Sequence, residues 1–179
     1  MSSVLFWETP EGDFEKVLEV PTDAASTRSR LNVEEARRSV ALAIALAGAR
    51  EAPSVAVLTW YNAQVTELKR LLALEACGAS SSVHCGSVVS SQGSEWDYVI
   101  LSTVRLPGKQ CGKSPNAALG CLADKHLLNV ALTRGRSGIV VLGSAPLLLT
   151  SGHWAAFLRQ CAGNSGIVQA SSQPRVRSA

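Results

Sequence analysis

Two short apolar runs, Tyr98 to Val104 and Ile139 to Leu142, constrain the fold of this chain more than any other feature, because each is entered through a compact set of polar residues that a core would not need. Short apolar runs bounded by turn signals suit strands buried on both faces, as in a parallel sheet. Both runs lie between Gly86 and Gly143, in GSVVSSQGSEWDYVILSTVR, an insert, and LLNVALTRGRSGIVVLG. The first polar set is Ser90, Ser91, Gln92, Gly93 and Glu95, at a turn entering a strand. The second is Asn129, Thr133, Arg134 and Arg136, on a helix predicted to end at a glycine before the next strand. A carboxylate and two guanidinium groups gathered at one end of a parallel sheet suit a nucleotide or phosphate ligand.

The remaining sequence supplies the alternation such a sheet needs. Val4 to Trp7 reads as a first strand, and Leu18 to Arg30 as an ordered connection with Pro21, Thr22, Asp23, Ser26 and Ser29 between apolar points. A helix starts at Asn32, which can cap it while Glu35 faces back to the cap, and Ala36, Val40, Ala43, Ile44 and Ala47 form its stripe. Gly48 and Pro53 stop it. Val55 to Leu58 is then a buried strand, followed by a helix from about Asn62 with Val65, Leu68 and Leu72 inward. Thr59, Tyr61 and Gln64, between strand and helix, read either as a packed helix entrance or as a backbone or phosphate contact. Val83 to Cys85 is a further strand, and Pro107 to Ala118 an exposed excursion. Its Lys113 and Ser114 do not make a P-loop, because the full GxxxxGK(S/T) spacing is missing.

Composition narrows the class. At 179 residues and 46% hydrophobic content, the chain fits one domain with its own core. Its five cysteines, Cys77, Cys85, Cys111, Cys121 and Cys161, are odd in number and form no CxxC pair, which points away from a disulfide scaffold and from a metal site. The net charge of +3 permits a phosphate partner without indicating one. After Met1, SSVLFWETPEGDFEK reaches acidic residues too early for a secretory segment, and the apolar run Val40 to Ala47 is too short to cross a bilayer. An intracellular location, cytoplasmic or nuclear, with no membrane partner, is expected. On local spacing alone SSQGSEWD is equally a surface turn, and TRGR a helix end stabilised by arginines; their joint presence in an α/β setting favours a ligand site.

These residues resemble a known family. SSQGSEWDYVILSTVR and LLNVALTRGR are similar to motifs V and VI of superfamily 1 nucleic-acid helicases, particularly the nonsense-mediated-decay and zinc-finger helicase group. Ser29, Asn32, Glu35 and Ala36 resemble that group's approach to the first helix of its second RecA-like domain, and LTWYNAQ resembles its motif IV. The similarity runs from Val4 to about Leu158. The resemblance implies a single RecA-like domain of the P-loop-NTPase type, α/β with a mainly parallel sheet, over residues 1–163; from Asn164 the sequence loses periodicity, and 164–179 reads as a flexible tail.

By the same resemblance, Arg134 is the arginine finger and the catalytic residue, Glu95 a ribose-side contact, Gln92 a coupling residue, and Arg136 a second phosphate or supporting residue. Thr59, Ser87, Ser102 and Arg105 are the expected nucleic-acid contacts, Asn129 positions motif VI, and no residue is expected to bind a metal. The implied partners are RNA or single-stranded DNA, held through the backbone, and an amino-terminal RecA-like domain in the same or a separate chain. ATP and Mg2+ are expected only when that domain completes the site.

The sequence also departs from the family. Motif V commonly reads near VDAFQG, whereas Val89 stands here at the acidic position, and Lys125, His126 and Leu127 replace a run that commonly carries paired arginines. A Walker A lysine motif and the paired Asp-Glu magnesium motif are both missing from the sequence. The chain alone is therefore predicted to be inactive. The alternative is a non-enzymatic regulatory or protein-binding module derived from the same fold.

Overall fold

A computed structural model describes residues 3–10, 12, 14–20, 27–75, 82–107 and 115–168. Six strands form one sheet in the order β5-β4-β6-β7-β1-β8, and every neighbouring pair in it is parallel. They are β1 (Ser3–Glu8), β4 (Val55–Thr59), β5 (Val83–Ser87), β6 (Trp96–Ser102), β7 (Gly135–Gly143) and β8 (Ile167–Val168). Interior strand β4, between β5 and β6, is buried at all five positions, as a strand covered on both faces must be.

Two layers cover the sheet. Strand side chains alternate between them: Val57 and Ile100 pack on α1 (Val33–Ala47) and α2 (Asn62–Glu75), through Ala36, Val40, Leu68 and Leu72. Leu58, Leu101 and Val141 face the opposite way, onto α4 (Lys125–Leu132), α5 (Ala145–Leu148) and α6 (Gly152–Gly163). Trp154 of α6 is fully buried there, and its Nε1 donates to the carbonyl oxygen of Leu122 at 2.8 Å. The architecture is thus one α/β domain with a mainly parallel sheet, consistent with a RecA-like P-loop NTPase fold.

The local signals place most boundaries. Asn32 caps α1, its side chain accepting from the Glu35 amide at 3.0 Å, and the Gly48 amide closes the far end on the Ile44 carbonyl at 3.0 Å. Three expectations are corrected. Glu35 does not fold back to the cap; its carboxylate is buried at the end of the sheet. The presumed connection is an antiparallel hairpin of β2 (Glu15–Val20) and β3 (Thr27–Asn32), with residues 21–26 outside the described residues. Arg134 and Arg136 are not on the helix: α4 ends at Leu132, Thr133 caps it, and Gly135 already opens β7.

Of the excursion, residues 108–114 lie outside the described residues, and 115–119 form α3 (Pro115–Leu119), followed by a 3-10 turn, Gly120–Ala123. At the carboxyl end, β8 adds to β1, so the sheet continues beyond position 163, while 169–179 lie outside the described residues. Among the described residues no helix is long and apolar enough to cross a membrane.

Candidate functional site

Because all six strands run the same way, the two ends of the sheet are chemically distinct, and the sequence-predicted residues divide between them. Trp96 and Gly135 are register partners at the amino ends of β6 and β7, so Glu95 and Arg134, each one residue earlier, come to the same end. The Trp96 amide donates to the Arg134 carbonyl at 3.0 Å. The Arg134 guanidinium is fixed by three bonds: Nη1 to the Ser94 carbonyl at 3.0 Å, Nε to the Val130 carbonyl at 2.9 Å, and Nη2 to Thr133 Oγ1 at 2.9 Å. Arg134 therefore rests folded against the turn that enters β6.

Arg136 stands beside it on β7 and pairs with Asp97, Nη2 to Oδ1 at 3.1 Å. Asp97 Oδ2 also accepts from Ser54 Oγ at 2.7 Å and the Ser54 amide at 2.8 Å. Those Ser54 bonds, with the nearby Arg136 charge, hold the Asp97 carboxyl below its ordinary range. Arg136 thus has a structural partner, which the sequence reading left open. Glu95 is exposed, and Asn129 is exposed on α4.

The opposite end is built differently. Thr59 and Ser102 end β4 and β6 as register partners, and both are fully buried. Ser102 Oγ donates to Glu35 Oε2 at 2.7 Å and accepts from Gln64 Nε2 at 2.9 Å, while Thr59 Oγ1 has no hydrogen-bond partner. Their hydroxyls face the interior. Ser87, at the end of β5, is half-buried and exchanges bonds with Ser90, amide to Oγ at 3.1 Å in each direction. Arg105 is turned inward, its side chain 12% exposed and its Nε 3.2 Å from Glu15 Oε1 of the hairpin. Glu15 also pairs with Arg30 and accepts from the Leu106 amide at 2.9 Å.

The buried network at this end was not anticipated. Glu35 accepts from Ser102, from the Val104 amide at 2.7 Å and from Thr9 Oγ1 at 3.5 Å. Gln64 bridges both backbone groups of Asn32, accepting its amide at 2.8 Å and donating to its carbonyl at 3.1 Å. Burial pushes the Glu35 carboxyl up to about 7, against the lowering effect of its hydrogen bonds. One sequence signal points to it: Glu35, Ser39 and Leu42 share the inward helical phase, so Glu35 lies under a buried row rather than on the solvent side.

Residues 88–95 join the two ends. The Val88 amide donates to the Thr59 carbonyl at 2.8 Å, a 3-10 turn spans Val89–Ser91, and Gly93 reverses the chain at φ +85 before Ser94 meets Arg134. Gln92 lies exposed on this connection. The ends it joins are separated by the seven residues of β6, about 20 Å of strand.

Among the described residues no group of three His, Cys, Asp or Glu could hold a metal ion. Among the described residues the amino end offers guanidinium groups but no glycine-rich backbone cradle, so these residues alone do not fit a magnesium nucleotide.

Comparison with known proteins gives the family. A profile of the AAA domain family matches residues 2–146. The chain is 35% identical over 164 residues to the human (Homo sapiens) 3'-5' exoribonuclease HELZ2, covering 87% of this chain and 6% of that protein. It is 34% identical over 139 residues to the Arabidopsis thaliana regulator of nonsense transcripts 1 homolog, covering 75% and 10%. It is 38% identical over 79 residues to the ATP-dependent helicase upf1 of Schizosaccharomyces pombe (strain 972 / ATCC 24843), covering 44% and 8%. The chain thus spans a tenth or less of each relative's length.

Proposed function

The chain belongs to the AAA domain family, as a RecA-like domain related to superfamily 1 helicases, and on that premise we propose that it is the carboxyl-terminal half of an ATP-dependent RNA or DNA helicase motor. The observation that carries the reading is the division of charge and polarity between the sheet ends, with Arg134 at the end opposite Ser87 and Arg105. In a cleft completed by an amino-terminal RecA-like domain, Arg134 leaves its backbone partners and meets the negative charge that develops on the transferring phosphoryl group. Glu95 meets the ribose side, and Arg136 braces the strand through Asp97. Ser87 faces the nucleic-acid backbone, Arg105 leaves Glu15 to meet it, and Gln92, on the segment linking the ends, couples the two ligands. The phosphate cradle and magnesium carboxylates belong to the partner domain. An intracellular location follows from the same reading.

A second reading, a regulatory or protein-binding module without catalysis, is favoured by Val89, which stands at the acidic position of motif V and is 63% exposed. Arg134→Ala and Glu95→Ala in a two-lobe protein separate the two. Under the motor reading Arg134→Ala lowers nucleic-acid-stimulated turnover by about a hundredfold or more, with the fold intact by thermal unfolding. Glu95→Ala raises the ATP concentration needed for half-maximal turnover. Unchanged turnover in a folded Arg134→Ala protein sinks the finger assignment.

A further inference from the structure

The chain leaving β6 makes an unusual turn. The Arg105 amide donates to the Thr103 carbonyl at 2.8 Å, two residues back, with Val104 between them at φ +70. That is a γ-turn with a positive central φ, a rare and strained form, and a β-branched residue is poorly suited to it. Such strain persists only where the surroundings impose it. Two side chains do so: Glu35 Oε2 takes the Val104 amide at 2.7 Å, and Asn32 Nδ2 donates to the Val104 carbonyl at 3.3 Å. Both come from the start of α1, and Val104 is fully buried.

The turn decides where the next residues go. Arg105 reaches Glu15 with its side chain and Leu106 reaches the same carboxylate with its amide, tying the exit of β6 to the hairpin. Gly120, at φ +57, makes room for the guanidinium, since a Cβ there would lie 2.9 Å from Arg105 Nη1. Resting on the reading that the carboxyl end of the sheet meets nucleic acid, we propose that Glu35 is a positioning residue of that face: its buried carboxylate holds the γ-turn at Val104 that aims Arg105. Glu35 touches no nucleic acid itself. What matters is its reach, because one side chain spans from Thr9 to Ser102 and the Val104 amide.

Two substitutions separate reach from charge. Glu35→Gln keeps the length, and its amide oxygen can still accept from Ser102 and Val104 while its NH2 group donates to Thr9. Glu35→Asp keeps the charge and is one methylene too short. In the 1–179 chain, positive φ at Val104 gives a strong intraresidue amide-to-Hα NOE, and single-stranded oligouridylate at low salt reports the binding face. Glu35→Gln is expected to keep both the NOE and the affinity. Glu35→Asp is expected to lose the NOE and to weaken RNA binding about threefold to tenfold, with no further loss when Arg105→Ala is added. Loss of the NOE in folded Glu35→Gln, or its retention in folded Glu35→Asp, overturns the proposal; if Glu35→Asp does not fold, Glu35→Gln alone decides it. Unchanged RNA affinity in Arg105→Ala overturns instead the reading of the face on which the proposal rests.

Discussion

Arg134 Nη1 donates to the carbonyl oxygen of Ser94 at 3.0 Å across forty residues of sequence, so the turn after α4 and the turn that enters β6 form one unit. Lysine cannot reproduce a planar fork that serves Ser94, Val130 and Thr133 together. Arg134→Lys is expected to cost about 1–2 kcal/mol. For a chain of this size that is a melting temperature lower by about 2–6 °C, measured by circular dichroism. An unchanged melting temperature would show that these bonds add nothing to the fold.

Glu35 predicts a pH dependence whose sign is unusual for a carboxylate. Its folded-state pKa, about 7, lies above the ordinary 4.5, so the native state holds the proton more tightly than the unfolded chain. The contribution is fully present below about pH 4.5 and is lost as pH rises through about 7, with an upper bound of about 3 kcal/mol. Urea unfolding from pH 5 to 8 should therefore show a falling stability in the wild type that is flattened in Glu35→Gln. Equal slopes in the two proteins would contradict the assignment.

Trp154 is fully buried, with Trp60 at 5.9 Å and Phe157 at 6.0 Å between ring centroids, both edge to face. Trp154→Ala is expected to cost about 3–5 kcal/mol through the cavity it leaves. Trp154→Phe keeps most of the packing but strips the Leu122 carbonyl of its partner, at about 1–3 kcal/mol. Denaturant midpoints rank the two, and a loss from Phe equal to that from Ala would place the energy in the hydrogen bond.

Gly93 and Gly120 both have positive φ, +85 and +57, but different surroundings. A Cβ on Gly93 meets nothing within 4 Å, so Gly93→Ala pays only the backbone cost of about 1–2 kcal/mol. Gly120→Ala adds the close approach to Arg105 and is expected to lose more stability and to weaken RNA binding as well. Equal effects on both measurements would remove Gly120 from the placement of Arg105.

Much of the scaffold was legible because its signals are local. Asn32, Gly48 and the helical stripe of Ala36, Val40 and Ala43 place α1 without reference to anything distant. The apolar runs place β4, β6 and β7. The hairpin carries no such signal: Val17 and Leu18 are 50% and 41% exposed, and β2 lacks the apolar alternation of a half-buried strand. Nothing in TRGRSG marks the change from helix to strand before Arg134 and Arg136; the change is made by β6, through the Trp96 amide and Asp97. The Glu35 network joins residues as far as 72 positions apart in a single bond, and no spacing rule carries that information. The division of the site between opposite sheet ends is likewise a consequence of register rather than of any single motif.

Under the proposed motor function this chain completes a nucleotide site only together with an amino-terminal RecA-like domain, and ATP hydrolysis by the two forms distinguishes the cases. Purified 1–179 and a single-chain form carrying an amino-terminal RecA-like domain are assayed for magnesium-dependent ATP hydrolysis with and without single-stranded RNA. No turnover above background is expected for 1–179, and RNA-stimulated turnover that Arg134→Ala abolishes is expected for the two-lobe form. Hydrolysis by 1–179 alone that disappears in Arg134→Ala, or a folded two-lobe form with no turnover, would contradict the motor function.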